Sequence, residues 1–390
     1  MKILIVSSFL PFPLHSGGHI RLYNLIKRLS KNNEITLVCE KRFWQTEEDV
    51  VEVRKICKQV ITIPRRKQWS ISNIVSSGLS DKPFLITGHT LSKMKSEISR
   101  ILDTEGFDLI HAETSYVFQN IPKTNLPIIV AEHNIEYDVY RKYQDKAKFF
   151  LKPFLGMDIM KLKTYEEKVW RNANAVVAVS EKDKKIIDGL NKKVYVVPNG
   201  VDIKQFTINN SQLTNHKQGK TILYIGDFKW VQNRDALKFI LEKIWPRLDS
   251  KLKLWIVGKN IPDDLRKLGE KNVVFDENAP DDTSEIFGKA DILLAPIRVG
   301  GGTSYKILEA MASGVPVVTT SLGAGGIGAE NNKEIIIANS EKEIIEGTSR
   351  ILTDHVLYEN ISKNARILIE KKYNWDNIAE SLQEVYKSLI

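Results

Sequence analysis

With 390 residues, 42% of them apolar and 27% charged, the chain is too long for one ordinary core and has the composition of a folded protein of about two domains. Two cysteines exclude a disulfide framework, and no apolar run is long enough to span a bilayer. A net charge of +9 suits an anionic partner, either a phosphorylated small molecule or an anionic lipid surface. Without zinc-ligand cysteine pairs or an RNP-type aromatic motif, nucleic acid is not expected.

The opening MKILIVSSFLPFPL has the outline of a weak signal peptide. Two prolines interrupt its apolar part and no clean cleavage site follows, so KILIV (2–6) reads as a buried first strand. SSFLPFPLHSGG then turns into the helical pattern HIRLYNLIKRLS. EITLVC (34–39), QVITI (59–63), DLIH (108–111), PIIVA (127–131) and AVVAV (175–179) follow, with amphipathic segments between most of them. β-branched runs alternating with helices predict a parallel sheet covered on both faces. The two cysteines, Cys39 and Cys57, read as reduced thiols in a reducing compartment.

Lysines interleave with apolar residues in KAKFFLKPFLGMDIMKLK (146–163), the composition of an interfacial segment on anionic lipid. The competing reading is an amphipathic connection packed under the first domain. Between VYVVPNGVD (194–202) and the next strand lies INNSQLTNHKQGK (208–220), a polar linker. A second series begins there: TILYIG (221–226), KLWIVG (253–258), VVF (273–275), DILLAPI (291–297), VPVVTT (315–320) and EIIIA (334–338). The expected architecture is α/β, with two Rossmann-like doubly wound parallel-sheet domains facing across a cleft. Residues 1–198, joined by the C-terminal helix 375–390, form the first domain and 199–374 the second. Ligands are expected beyond the carboxyl ends of the strands.

The stretch VGGGTSYKILEAMASGVPVV (299–318) lies at such an end. Gly300, Gly301 and Gly302 let the backbone approach a ligand and expose its amides. A helix begins near Thr303, the expected N-cap, and ends at Gly314. Its N-terminus favours an anion. Lys306 in the first turn adds a full positive charge, and Glu309 on the same face can accept hydrogen bonds from vicinal hydroxyls such as those of a ribose. GAGGIG (323–328) satisfies the dinucleotide fingerprint, but a polar stretch and a strand follow it where a helix is required. The histidines show no ligand spacing and Asp-x-Asp is absent, so neither a metal nor any other cofactor is expected.

At these residues the chain resembles the GT-B glycosyltransferases of the large retaining family 4, also called glycosyltransferase group 1. The resemblance extends over nearly the whole chain and implies that 1–198 with the helix 375–390 binds the acceptor and 199–374 the nucleotide sugar. It is carried by VGGGTSYKILEAMASGVPVV, LYIGDFKWVQNRDALKFILEKIWPRL (223–248), VVAVSEKD and VVPNGVD (176–202), VAEHNIEY (130–137) and the opening LIVSSFLPFPLHSGGHIRLYNLIKRLS. It implies that Glu309 is the second glutamate of the E-x7-E motif and holds the nucleotide ribose. The first glutamate falls at Gly301 and is replaced, in a GGGT sub-pattern. His133 matches the histidine that faces the donor sugar, and Gly17 and Gly18 match the glycine loop under the diphosphate. The arginine of the family's G-R-x(4)-K-G pattern is Asp227 here, so positive charge for the diphosphate must come from Lys306, Arg298 or Lys229. His133 and Lys306 are the expected catalytic residues, and Thr303 with the glycines completes the nucleotide-sugar set.

The expected activity is transfer of a hexose-type sugar, with retention, from a nucleotide diphosphate sugar to a glycan or lipid-linked acceptor in cell-surface polysaccharide synthesis. By family frequency the base is uracil. The expected location is cytoplasmic, with peripheral contact at the inner face of an anionic membrane through 146–163. A UDP-sugar 2-epimerase of the same architecture and a catalytically silent GT-B partner subunit are the rival readings.

Overall fold

The computed structural model describes residues 1–206, 220–269, 272–280, 282–299 and 302–390, with the side chain of Lys146 left aside. The expected linker up to residue 219, Gly300 and Gly301 lie outside the described residues. Two compact units result: Met1–Pro198 with Ile378–Ile390, and Asn199–Asn377.

The first unit is built on a parallel sheet of seven strands: β1 (Lys2–Ser7), β2 (Glu34–Lys41), β3 (Gln59–Pro64), β4 (Leu109–Glu113), β5 (Ile128–Ala131), β6 (Ala175–Ala178) and β7 (Val194–Val196). Its order is β3-β2-β1-β4-β5-β6-β7, so the winding reverses between β1 and β4. The second unit has six strands: β8 (Thr221–Ile225), β9 (Lys253–Val257), β10 (Val273–Asp276), β11 (Ile292–Ala295), β12 (Val317–Thr319) and β13 (Ile336–Ile337). Their order is β10-β9-β8-β11-β12-β13, and the reversal falls between β8 and β11. Crossovers leave in opposite directions at such a reversal and open a crevice at the carboxyl ends of the two strands.

The unbroken apolar runs have a simple cause. Side chains alternate across a strand, and both faces are covered, so both alternating sets must be apolar. In the second unit Ile222, Tyr224, Leu254, Ile256, Ile292 and Leu294 belong to one core. Their neighbours Leu223, Trp255, Val257, Leu293 and Ala295 belong to the other. β6 is buried at all four positions. Cys39, within β2, and Cys57 are free and buried.

Two glycines set how closely β8 and β9 approach at their carboxyl ends. Gly258 has φ +139, and a Cβ there would lie 1.8 Å from the Gly226 carbonyl oxygen. Backbone occupies that space, so no rotamer relieves the clash. Gly258→Ala is therefore expected to destabilise the second unit by at least about 2 kcal/mol, read as an earlier thermal unfolding transition.

Candidate active site

Both reversals carry ionisable side chains. In the second unit β8 ends at Ile225, just before Gly226, and the chain returns from β11 to the helix Tyr305–Ala312. The N-cap of that helix is Ser304, not Thr303. Thr303 is buried, with its hydroxyl unpartnered among the described residues, so the expected cap is corrected by one residue. Gly302 has φ +80, the left-handed conformation that turns the chain into the helix. Ile307, Leu308 and Met311 are fully buried, which fixes the opposite face and aims Lys306 at β8.

Lys306 Nζ donates to Asn233 Oδ1 at 2.9 Å and stands 4.7 Å from the centre of the Tyr224 ring. A Cβ on Gly226 would meet Asn233 Nδ2 at 2.7 Å and Lys306 Nζ at 3.0 Å. Gly226 is thus the floor on which the ammonium rests. Burial lowers the lysine to about 7, with Glu309 pulling the other way. Burial raises the Glu309 carboxyl to about 8, against a hydrogen bond from Thr283 and the charge of Lys306.

The other two cations proposed for the diphosphate already have partners. Arg298 makes a two-pronged contact with Asp235 at 3.0 and 3.1 Å and lies 4.0 Å from the Phe239 ring centre. Lys229 pairs with Asp227 at 2.8 Å. Lys306 has no carboxylate at salt-bridge distance among those recorded for the described residues, and it remains the cation placed to meet an anion. After β12, GAGGIG runs through turns to β13 without a helix, so it lacks the strand–turn–helix setting of a dinucleotide site.

In the first unit the carboxyl end of β4 presents Glu113, fully buried. His111, two residues earlier and on the same face, reaches Glu113 Oε2 through Nε2 at 2.7 Å. His133, at the end of β5, shares Glu113 Oε1 through its own Nε2. Arg21 Nε is 4.0 Å from the same oxygen, while its terminal nitrogens donate to the carbonyls of Pro198 and Val197 at 2.8 and 2.9 Å. Tyr386, on the returning C-terminal helix, bonds His111 Nδ1 at 2.8 Å. Gly18 lets the helix Gly17–Leu29 start against the His133 ring, since a Cβ there would stand 3.2 Å from Cε1 and Nδ1.

Glu132 turns inward, accepting from Trp170 Nε1 at 2.8 Å and Ser115 Oγ at 3.3 Å, and burial raises its carboxyl to about 8. Sequence reasoning left His111 without a role and did not find Asn233, Tyr224 or Thr283. The i, i+2 spacing of His111 and Glu113 was the available signal for the first. The others are contacts between distant segments.

Two family models match in tandem. The model described as Glycosyltransferase Family 4 covers residues 15–205, and the one described as Glycosyl transferases group 1 covers residues 219–354. The chain is a family 4 glycosyltransferase. An uncharacterized glycosyltransferase of Methanocaldococcus jannaschii is 29% identical over 74% of this chain and 77% of its own. The lipopolysaccharide 1,2-N-acetylglucosaminetransferase of Salmonella typhimurium is 24% identical over 50% and 56%. Among solved structures, sucrose-phosphate synthase of Thermosynechococcus elongatus matches with a TM-score of 0.73 at 17% identity over 100% of this chain and 99% of that one. HepE of Anabaena, in complex with UDP and glucose, matches with a TM-score of 0.68 at 15% identity over the whole of both chains. These likenesses show the GT-B fold.

Glu113 provides a test of the first-unit network. Burial resists its ionisation, but the charges and hydrogen bonds of His133 and His111 outweigh that and hold the carboxyl below its usual range. A depressed carboxyl contributes stability that is complete above its unfolded value of about 4.5 and is lost as pH falls. Glu113→Gln is expected to destabilise the protein by about 3 kcal/mol at neutral pH, with the gap from wild type closing in acid. Denaturant unfolding across pH measures both.

Proposed function

We propose that this glycosyltransferase moves a hexose-type sugar from UDP, with retention and without a metal, to a glycan or lipid-linked acceptor in cell-surface polysaccharide synthesis. The observation that carries the reading is the partly buried Lys306 beside Gly226 and Asn233. Departure of the diphosphate concentrates negative charge, and a preorganised cation in a low-dielectric recess stabilises it more than it stabilises the intact donor. Glu309 takes the ribose hydroxyls. The Gly302 amide and the helix N-terminus join Lys306 at the diphosphate. His133, fixed by Glu113, offers its remaining edge to a sugar hydroxyl. The UDP and glucose bound by HepE, and the lipopolysaccharide acceptor of the Salmonella relative, support the choice of donor and acceptor class.

We also propose that the first unit rests on an anionic bilayer. In 146–163 Ile159 and Leu162 pack inward, whereas Phe149, Phe154 and Met160 are 84%, 70% and 72% exposed. The helix Ile71–Leu79 adds exposed Ile71, Ile74 and Leu79, a contribution the sequence analysis did not anticipate. The two helices are joined where Lys161 Nζ donates to the carbonyls of Ser77 and Ser80 at 2.8 and 2.7 Å. No helix among the described residues is long and apolar enough to cross a membrane. Apolar side chains among lysines suit the headgroup region of a cytoplasmic leaflet.

The donor site predicts a pH optimum for UDP affinity. Lys306, titrating near 7 when free, must hold a proton to meet the diphosphate, so affinity falls above that pH. Glu309, near 8 when free, must lose one to accept two hydroxyls, so affinity falls below that pH. Calorimetry in EDTA is expected to show a maximum between these values and slopes of about tenfold per pH unit on either side. Lys306→Ala should remove the alkaline slope, Glu309→Gln the acid one, and each should weaken binding by about 1–3 kcal/mol. An affinity that ignores both substitutions contradicts the assignment.

For the membrane face, the protein is expected to co-sediment with anionic vesicles and to be released by high salt, because the lysine attraction is screened. Phe149→Ser with Phe154→Ser should abolish sedimentation. Equal recovery on neutral vesicles contradicts the electrostatic part.

A further inference from the structure

Three buried polar atoms of the first unit have no hydrogen-bond partner among the described residues and gather near the carboxyl ends of β1 and β2: His19 Nε2, Glu40 Oε2 and Arg42 Nε. The backbone explains the gathering. Gln45 accepts from the Arg42 amide at 2.9 Å and donates to the carbonyls of Leu10 and Phe12 at 3.1 and 2.6 Å. That side chain ties the turn after β2 to the loop after β1, which leads to Ser16 and His19. The Arg65 amide donates to the Lys41 carbonyl at 2.9 Å, which brings the end of β3 alongside.

Charge at this place is unbalanced. Glu40 is fully buried and committed to His89 Nδ1 at 2.7 Å and Arg65 Nε at 3.7 Å. Arg42 has no ion pair among the described residues. Burial and the neighbouring Arg65 charge lower it, with Glu40 opposing. His19 is 8% exposed and bonds Ser16 Oγ through Nδ1 at 2.5 Å. Burial, then the charges of Arg42, His15 and His133, lower it to about 4, so at neutral pH the ring is uncharged. In the tautomer in which Ser16 donates to Nδ1, Nε2 carries the ring proton and is a donor. Two guanidiniums and one imidazole donor stand against a single carboxylate, whose Oε1 is bonded to His89 and whose Oε2 has only the Arg65 charge at 3.7 Å. A structural ion pair would match its charges, whereas this cluster is short of an anion.

We propose that His19, Arg42 and Arg65 form an oxyanion recess that takes a phosphate group carried by the acceptor. The proposal rests on reading the first unit as the acceptor-binding one. Planar guanidinium forks donate paired hydrogen bonds to phosphate oxygens, and a neutral imidazole N–H adds a directional third. Glu40 holds Arg65 in place and takes no part in binding. The same phosphate chemistry is present in the donor diphosphate, so the test must separate the two sources.

The full-length enzyme is saturated with UDP and titrated with methyl phosphate, following the His19 ring by NMR and affinity by calorimetry. Saturable binding that perturbs His19 is expected. Arg42→Gln should weaken it by about tenfold with UDP affinity and melting temperature unchanged; Arg65→Gln should weaken it similarly with UDP affinity unchanged, at a lower melting temperature because the buried Glu40 loses its cation. Arg42→Lys, which keeps the charge and loses the fork, guards against a variant that fails to fold and should weaken binding less than Arg42→Gln. Lys306→Ala should weaken UDP and leave methyl phosphate alone, so a failed donor assignment shows as lost UDP binding with the recess intact. No saturable methyl phosphate binding would overturn the proposal. So would competition between UDP and methyl phosphate, or an equal loss of UDP affinity in Arg42→Gln, either of which assigns the arginines to the donor.

Discussion

An ammonium taken out of water needs a counter-charge or must give up its proton, and Lys306 has only a partial remedy. Asn233 offers one amide oxygen, Tyr224 a ring face, and Glu309 a carboxyl that burial itself keeps protonated. The geometry that imposes this strain is built from the fold outward. Gly226 has no side chain where the ammonium sits, and the apolar face of the Tyr305–Ala312 helix forces Lys306 toward it. In the donor site proposed above, a diphosphate would supply the missing negative charge, and the cation would be most stable with substrate present.

The first unit solves the complementary problem. At its reversal the buried group is an anion, Glu113, and it is amply partnered by His111, His133 and the nearby Arg21. The result is a fixed His133, whose ring is crowded by Gly18 on one side and tied to a carboxylate on the other. Tyr386 closes the chain of contacts from the C-terminal helix. One reversal holds a cation awaiting charge, and the other holds a histidine whose orientation is already determined.

The strands were legible because a parallel sheet covered on both faces demands unbroken apolar runs, and KILIV, AVVAV and DILLAPI have no better explanation. The helix after the glycines was legible from its 3.6-residue apolar spacing, though its cap was misplaced by one residue because Thr303 and Ser304 are equally good capping types. Partnerships between distant segments were not legible. Arg298 read as a spare cation until Asp235, 63 residues earlier, was found against it. Glu132 and His133, adjacent in sequence, point to opposite faces of the strand end, so His133 finds its carboxylate on the neighbouring strand. The exposed face of Ile71–Leu79 escaped notice because nine residues of mixed composition look like any short connecting helix.

The central claim is that the recess around Lys306 in the second unit binds the nucleotide diphosphate. Hydrogen–deuterium exchange with and without UDP addresses it without any substitution. Protection is expected in the first turn of the Tyr305–Ala312 helix and from Gly226 to Asn233, and GAGGIG at 323–328 is expected to exchange as before. Protection confined to the first unit, or none at Lys306 and Glu309 under saturating UDP, would contradict the account.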